Sequence, residues 1–367
     1  MASTMTAAPS ESGAQIAELR AYPLREPVSG RRYTVVRLRT KSGLRGYGEC
    51  TAASAAELAQ ATTIVAGKPA TAFEVIRPQL AALPALQAAV NMALLDIVGQ
   101  LARAPLYQFL GGPTRHKARA MTALAGASDA ALLDSFRRSR QAGYRAFLVP
   151  LPPVLARNQG QAFVLAARRR LDALRTAGGD DCDFVLDAAG ALTPGDAANL
   201  ATALEPFHLL WFDEPCPLSN LGAVRKLASE NVTPLGFGRH LDRPGEFQDL
   251  LREDAVDVLR PSLSRHGISG IRRIAAIAEA YYIAVAPHHD GGSIATAAAL
   301  HLAATLPNFY IQQIPLPEAP EDQSMRAELT GLPVETVTDG FAGLPRGPGL
   351  GLIVNEEALQ KYQERAQ

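Results

Sequence analysis

From Lys117 to about Pro315 the chain repeats one pattern, in which short apolar stretches are separated by helix-length segments rich in Ala and Arg. Strand-like stretches fall at Ala118–Leu124, Tyr144–Val149, Asp183–Asp187, Leu209–Asp213, Pro234–Gly238, Val256–Leu259, Ile283–Ala286 and Phe309–Gln312. Apolar strands alternating with helices mark a parallel sheet whose faces are covered by helices. Eight strands are what a closed β/α barrel needs. A doubly wound open sheet shows the same alternation, but no glycine-rich phosphate loop follows any early strand. A closed barrel is the predicted architecture for this part of the chain.

The first hundred residues read differently. An Ile16–Tyr22 run is followed by Tyr33-Thr-Val-Val-Arg-Leu-Arg-Thr, which alternates by twos, and then, across a Ser-Gly turn, by Leu44-Arg-Gly-Tyr-Gly-Glu-Cys. This predicts an antiparallel meander from Gln15 to Cys50. Ala85 to Gln100 places Leu86, Ala89, Val90, Ala93, Leu94 and Ile97 on one helical face. Gly111-Gly-Pro ends the helical stretch. Met1 to Gly13 is rich in Ala, Ser and Thr without the apolar centre of a secretory signal, so residues 1–14 read as a disordered start. The tail from Leu332, turn-rich and strand-like, is expected to return to the first domain.

Charge narrows the partners. Lys plus Arg and Asp plus Glu both number 36, so no bulk charge draws the chain to nucleic acid or to an anionic membrane. No segment is long and apolar enough to span a bilayer. Cys50, Cys182 and Cys216 stand far apart, with neither zinc-binding nor disulfide spacing, which suits a reducing, cytoplasmic location. A small molecule is the expected partner.

The order of segments resembles the mandelate racemase/muconate-lactonising branch of the enolase superfamily over nearly the whole chain. Gly46-Tyr-Gly-Glu-Cys is similar to the family's Gly-Trp-Gly-Glu. Ala93-Leu-Leu-Asp-Ile-Val-Gly-Gln with Pro105-Leu-Tyr-Gln-Phe-Leu-Gly-Gly resembles its helix leading into the barrel. Leu210-Trp-Phe-Asp-Glu-Pro resembles its strand-four signature, and Ala278-Glu-Ala with Val285-Ala-Pro-His its seventh unit. Leu300-His-Leu-Ala-Ala, Pro307-Asn and Gly347-Pro-Gly-Leu-Gly complete the series. The resemblance implies a modified TIM (β/α) barrel over 117–331 and an α+β capping domain over 15–116, joined by the returning 332–367. It also implies a homo-oligomer.

For the site, the resemblance implies a magnesium ion held by three carboxylates at the ends of strands three, four and five. There it would stabilise the enolate formed when a proton is taken from beside a substrate carboxylate. Asp187 stands at the first ligand position and Glu214, in Phe212-Asp-Glu-Pro, is assigned the second; the third, expected to be Glu, is Arg239 in Pro234-Leu-Gly-Phe-Gly-Arg-His. Three carboxylates with a divalent cation sum to minus one, as do two carboxylates with one guanidinium. Arg239 is therefore expected to pair with Asp187 and Glu214 and take the place of the metal. The lysines expected on strand two are Leu148 and Pro150, the aspartate on strand six is Ser262, and the acid on strand eight is Gln313. His288 matches the histidine acid/base of strand seven, with Asp290 as its one nearby acidic partner in sequence. His289 and Arg239 are candidate substrate-binding residues. His240, His288, His289 and the carboxylates together are a possible transition-metal set. His266 reads as a loop residue and His301 as core.

Three functions stay open. One is the lineage's usual metal-dependent reaction, a dehydratase, racemase or cycloisomerase acting on a hydroxy acid or sugar acid, so a lyase or isomerase. The second is metal-free chemistry using Arg239 and His288. The third is a non-catalytic homologue that binds a carboxylate. Fold alone does not choose among them.

Overall fold

The computed structural model describes residues 11–154, 158–331 and 333–364. Of the predicted disordered start, residues 1–10 lie outside the described residues. Glu11–Ala14 is instead a 3-10 helix, where the Gly13 carbonyl accepts from the Ser42 amide at 3.1 Å.

Strands β1 (Ile16–Arg25), β2 (Arg32–Thr40) and β3 (Arg45–Cys50) form the antiparallel meander in that order. The helix Pro84–Leu101 packs directly on β3. A Cβ on Gly46 would lie 2.1 Å from the Ala93 carbonyl oxygen, and one on Gly48 would lie 1.9 Å from that of Ala89. These glycines, two apart and so on one face of the strand, let the backbone touch the helix. The helix is buried on all sides rather than on the one predicted face: Ala88, Asn91, Met92 and Leu95 are covered as well. Its second side lies against the helix Leu263–Ala280, where the Asn91 amide donates to Ser269 Oγ at 2.9 Å.

Eight parallel strands follow: β4 (Lys117–Ala123), β5 (Ala146–Pro150), β6 (Asp183–Asp187), β7 (Trp211–Asp213), β8 (Leu235–Phe237), β9 (Val258–Leu259), β10 (Ala284–Val285) and β11 (Gln312–Gln313). β11 pairs with β4, and Phe309 bridges Val285 of β10, so the ring closes. Met121, Ala146, Leu148, Val185, Trp211, Val258, Ala286 and Ile311 fill the interior as one cluster, distinct from the larger core under the outer helices. This is a modified TIM barrel with a capping domain.

The tail does two things. β12 (Val337–Thr338) and β13 (Phe341–Gly343) form a hairpin that adds antiparallel to β4, so this stretch stays with the barrel, contrary to the expectation for everything after Leu332. Beyond it the Leu350 amide reaches Asp96 at 2.8 Å, Glu356 accepts from Arg37 and Tyr47, and Gln363 bridges Leu24. Among the described residues no helix is long and apolar enough to cross a membrane.

Glu49, in β3, joins the two domains. Its carboxylate accepts from the amides of Gly292 (2.5 Å) and Ala295 (3.3 Å) at the start of the helix Ser293–Ala303. Burial pushes its pKa up to about 7, partly offset by the Gly292 amide and by Arg326. A carboxyl raised in the fold binds its proton more tightly there than in the unfolded chain. Its stabilising effect is therefore complete below the ordinary value of 4.5 and is lost as pH rises to about 7. Glu49→Gln keeps one acceptor oxygen and removes the charge. Chemical unfolding from about pH 5 to about pH 8 should show a shallower decline in stability for the variant than for the parent; identical slopes would mean that Glu49 is ionised without penalty.

Candidate active site

The polar residues of the barrel gather where its strands end, and strand parity decides which of them face inward. Side chains two apart share a face. Inward Val185, Trp211, Val258, Ala286 and Ile311 therefore send Asp187, Asp213, Arg260, His288 and Gln313 toward the barrel axis. Asp187 and Asp213 are register partners across β6 and β7.

Arg239 follows β8, after Gly238 turns the chain at φ 126°. Its guanidinium forks onto Asp187, with Nη1 at 2.9 Å from Oδ2 and Nη2 bonded to Oδ1. Its second carboxylate partner is Asp213, 3.7 Å away, and not the side chain of Glu214. The parity of β7 explains the correction: Trp211 and Asp213 face in, so Glu214 does not. Glu214 adopts a left-handed φ of 45° and its Oε1 accepts the amides of Gly238 (2.8 Å) and Arg239 (3.0 Å). Burial, then the Asp213 charge, pushes Glu214 up to about 7 against the pull of those amides. Arg239 is held above its usual value, since Asp213, Asp187 and Glu214 outweigh the burial that would lower it.

Sequence reasoning missed two residues here, Asp213 and Arg260. Arg260 is fully buried; Nε donates to Asp213 Oδ1 at 3.0 Å, Nη1 to the Ala286 carbonyl at 3.0 Å, and Nη2 to Gln313 Oε1 at 2.7 Å. Trp211 Nε1 donates to the same Asp213 oxygen at 2.7 Å. The available signal was the two-residue spacing of Trp211 to Asp213 and of Val258 to Arg260. The axis thus holds two carboxylates and two guanidinium groups, so its charge balances before Glu214 is counted.

The strand-two positions are apolar as expected: Leu148 is buried, and Pro150 offers only its carbonyl, to Arg170 at 2.7 Å. His288 is half-buried on the axis, with its backbone bonded to Pro261 and Leu263 and no partner on Nδ1 among the described residues, so Asp290 does not serve it. Burial, with Arg260 and Arg239 beside it, holds its pKa well below the ordinary value. A neutral imidazole next to two fixed cations is a weak base, because its protonated form is repelled. His289 is buried and lines a cavity under the capping domain, while His240 is exposed; the set His240, His288, His289 does not converge. His266, predicted in a loop, is buried in a helix with Nε2 2.9 Å from the Leu241 carbonyl, and His301 is core.

Magnesium requires near-octahedral oxygen ligands. Here a guanidinium occupies the third ligand position, Asp187 and Asp213 are engaged by Arg239, Arg260 and Trp211, and one oxygen of Glu214 is taken by backbone amides. Among the described residues no group of three or more His, Cys, Asp or Glu side chains is placed to hold a metal ion. The donor set does not fit the ion.

Residues 22–111 match the mandelate racemase/muconate lactonizing enzyme N-terminal domain, and residues 131–358 match the enolase C-terminal domain-like family. A D-galactonate dehydratase family member of Streptomyces bingchenggensis is 30% identical over 302 residues, 75% of this chain and 72% of its own. A D-mannonate dehydratase of Caulobacter sp. strain K31 is 28% identical over 377 residues, 91% of this chain and 92% of its own. Among solved structures, a mandelate racemase/muconate lactonizing enzyme-like protein of Roseovarius sp. TM1035 superimposes with a TM-score of 0.85 at 27% identity over 96% of each chain. One from Rubrobacter xylanophilus gives 0.86 at 23% identity over 96% of this chain and 98% of its own, a likeness of fold. With both domain models, the dehydratase relatives and the barrel geometry in agreement, the chain belongs to the mandelate racemase/muconate-lactonising branch of the enolase superfamily.

Proposed function

We propose that this chain is a metal-independent, small-carboxylate-binding member of the sugar-acid dehydratase lineage, in which Arg239 stands where the family's magnesium would be held. The observation that carries this reading is the fork of Arg239 onto Asp187, with Asp213 on its other side. Two carboxylates already neutralised by two arginines have little left to offer a divalent cation, and a fixed guanidinium repels one. Enolisation of a carboxylate demands strong fixed positive charge at the developing oxyanion and a competent base. Here the arginines are committed to Asp187 and Asp213, and His288 is a depressed, weak base. The relatives are named for D-galactonate and D-mannonate, both small carboxylates, and a ligand of that class is carried over to this chain. Balanced charge and three buried free cysteines support a cytoplasmic location without nucleic-acid or membrane partners, and membership of the family supports a homo-oligomer.

Calorimetric titration of chelator-treated protein with magnesium tests the reading, run beside an Arg239→Glu variant. The parent should give no saturable heat, and the variant, with a third carboxylate restored, should bind. Tight binding by the parent would overturn the reading and return the chain to metal-dependent dehydration.

A second reading, metal-free proton transfer, is favoured by one observation: His288 Nδ1 and Arg239 Nε are both buried without partners among the described residues. It requires loss of the α-hydrogen of D-galactonate or D-mannonate to deuterated solvent, with that exchange abolished in His288→Asn. Retention of the hydrogen favours the binding role.

A further inference from the structure

A cavity of about 970 Å³ lies on the outside of the barrel, bordered by the hairpin β12–β13 and by the tail that follows it. None of Asp187, Asp213, Arg239, Arg260 or His288 lines it. Its wall includes Lys117, the first residue of β4, whereas Asp187 is the last residue of β6, so the two sites belong to opposite ends of the parallel strands. Barrels of this kind carry their chemistry at the strand C-termini. The cavity is therefore a separate site.

Strand parity makes one wall of it. In β13 Ala342 is fully buried, so Phe341 and Gly343 point to the other side and border the cavity. At Gly343 that wall is bare, because a Cβ there would meet no atom within 4 Å. Val334 and Leu352 line the cavity half-buried, and Ile353 is 85% exposed. Contiguous apolar surface of this kind marks a binding site in a soluble protein.

The charged residues of the lining are Lys117, Asp339 and Arg346. Asp339 is paired with Arg145 at 3.4 Å. Lys117 and Arg346 have no carboxylate partner among the described residues; the Lys117 ammonium lies instead 3.8 Å from the centroid of the Phe341 ring. Two uncompensated cations at an apolar wall call for an occupant that is apolar along its length and anionic at one end. The volume stands near the top of the range for ligand clefts, roughly 300–1,000 Å³, which leaves room for an alkyl chain.

We propose that this outer cavity binds a free fatty acid, with the alkyl chain against Val334, Phe341 and Leu352 and the carboxylate between Lys117 and Arg346. This site is independent of the axis and of the reading given to it above.

Calorimetric titration of the full chain with decanoate tests it, with butyrate as the control for the chain and decan-1-ol as the control for the charge. Decanoate should bind saturably, butyrate should give no saturable heat, and decan-1-ol should bind about tenfold or more weakly than decanoate. The double variant Lys117→Gln, Arg346→Gln should bind decanoate about tenfold or more weakly than the parent. Gly343→Phe, which places a ring in the bare part of the wall, should abolish binding, and an unchanged thermal midpoint will show that it is folded. A folded Gly343→Phe variant that binds decanoate as tightly as the parent overturns the proposal, as does decan-1-ol bound as well as decanoate. No saturable binding by the parent also overturns it; if Gly343→Phe then lowers the subunit number in analytical ultracentrifugation, the face is covered by a second copy of the chain.

Discussion

Arg239→Ala should lower the free energy of unfolding by about 3–5 kcal/mol, the range for removing one partner of a buried ion pair. The Arg239 side chain is 9% exposed, and those of its partners Asp187 and Asp213 are 17% and 0% exposed. Truncation leaves the Asp187 carboxylate, among the described residues, with the Ala189 amide at 2.8 Å, and strips half of the compensation from Asp213. Arg260 remains, so the barrel is expected to stay folded in urea-free buffer. Urea unfolding followed by circular dichroism measures the loss. The double variant Asp187→Asn, Arg239→Ala should be less destabilised than the sum of the two single variants, because the second change removes the charge stranded by the first. A loss below about 1 kcal/mol, as for an exposed pair, would show that the fork is solvated and contributes little to the site.

A loss of the same size is expected for Arg326→Leu, far from the axis. Arg326 is 1% exposed and lies between Glu26, at the end of the capping domain's first hairpin strand, and Glu335, beyond the helix Pro320–Thr330. It also donates to the Gly291 carbonyl at 3.3 Å. One guanidinium therefore ties the cap, the barrel and the tail together, and its removal strands two buried carboxylates; about 3–5 kcal/mol is expected. Leucine fills much of the arginine stem's volume, so packing alone does not account for such a loss. Glu335→Gln on the Arg326→Leu background should recover part of it. An Arg326→Leu variant as stable as the parent would mean that the three charges merely offset the cost of burying themselves.

The site divides cleanly into what one-dimensional reading reaches and what it does not. Asp187, Arg239 and His288 were legible because each sits next to a motif that resembles the family's, and Leu148, Pro150 and Ser262 were legible as absences of the expected bases. Glu214 was placed one residue off. In Trp-Phe-Asp-Glu-Pro two carboxylates are adjacent, and only the inward parity of Trp211 decides that Asp213 faces the axis. Arg260 stands in no motif of its own, and only the inward parity of Val258 places it on the axis. The periodicity of the helix Pro84–Leu101 shows its strongest apolar face and not the second neighbour packed on the other side.

The amino-acid order by itself determined the architecture: eight apolar stretches of strand length, the meander before them and the glycines that admit a helix backbone are local properties written in residue type and spacing. It also determined that an arginine replaces a carboxylate at the third ligand position. Only the tertiary structure decided which carboxylates meet that arginine, that a second arginine balances the axis, that the tail first pairs with β4, and that Lys117, Phe341 and Leu352 surround one cavity. The reason is physical. Electrostatic compensation and cavity formation depend on distances of a few ångströms between residues separated by tens to hundreds of positions, and strand parity and domain docking set those distances.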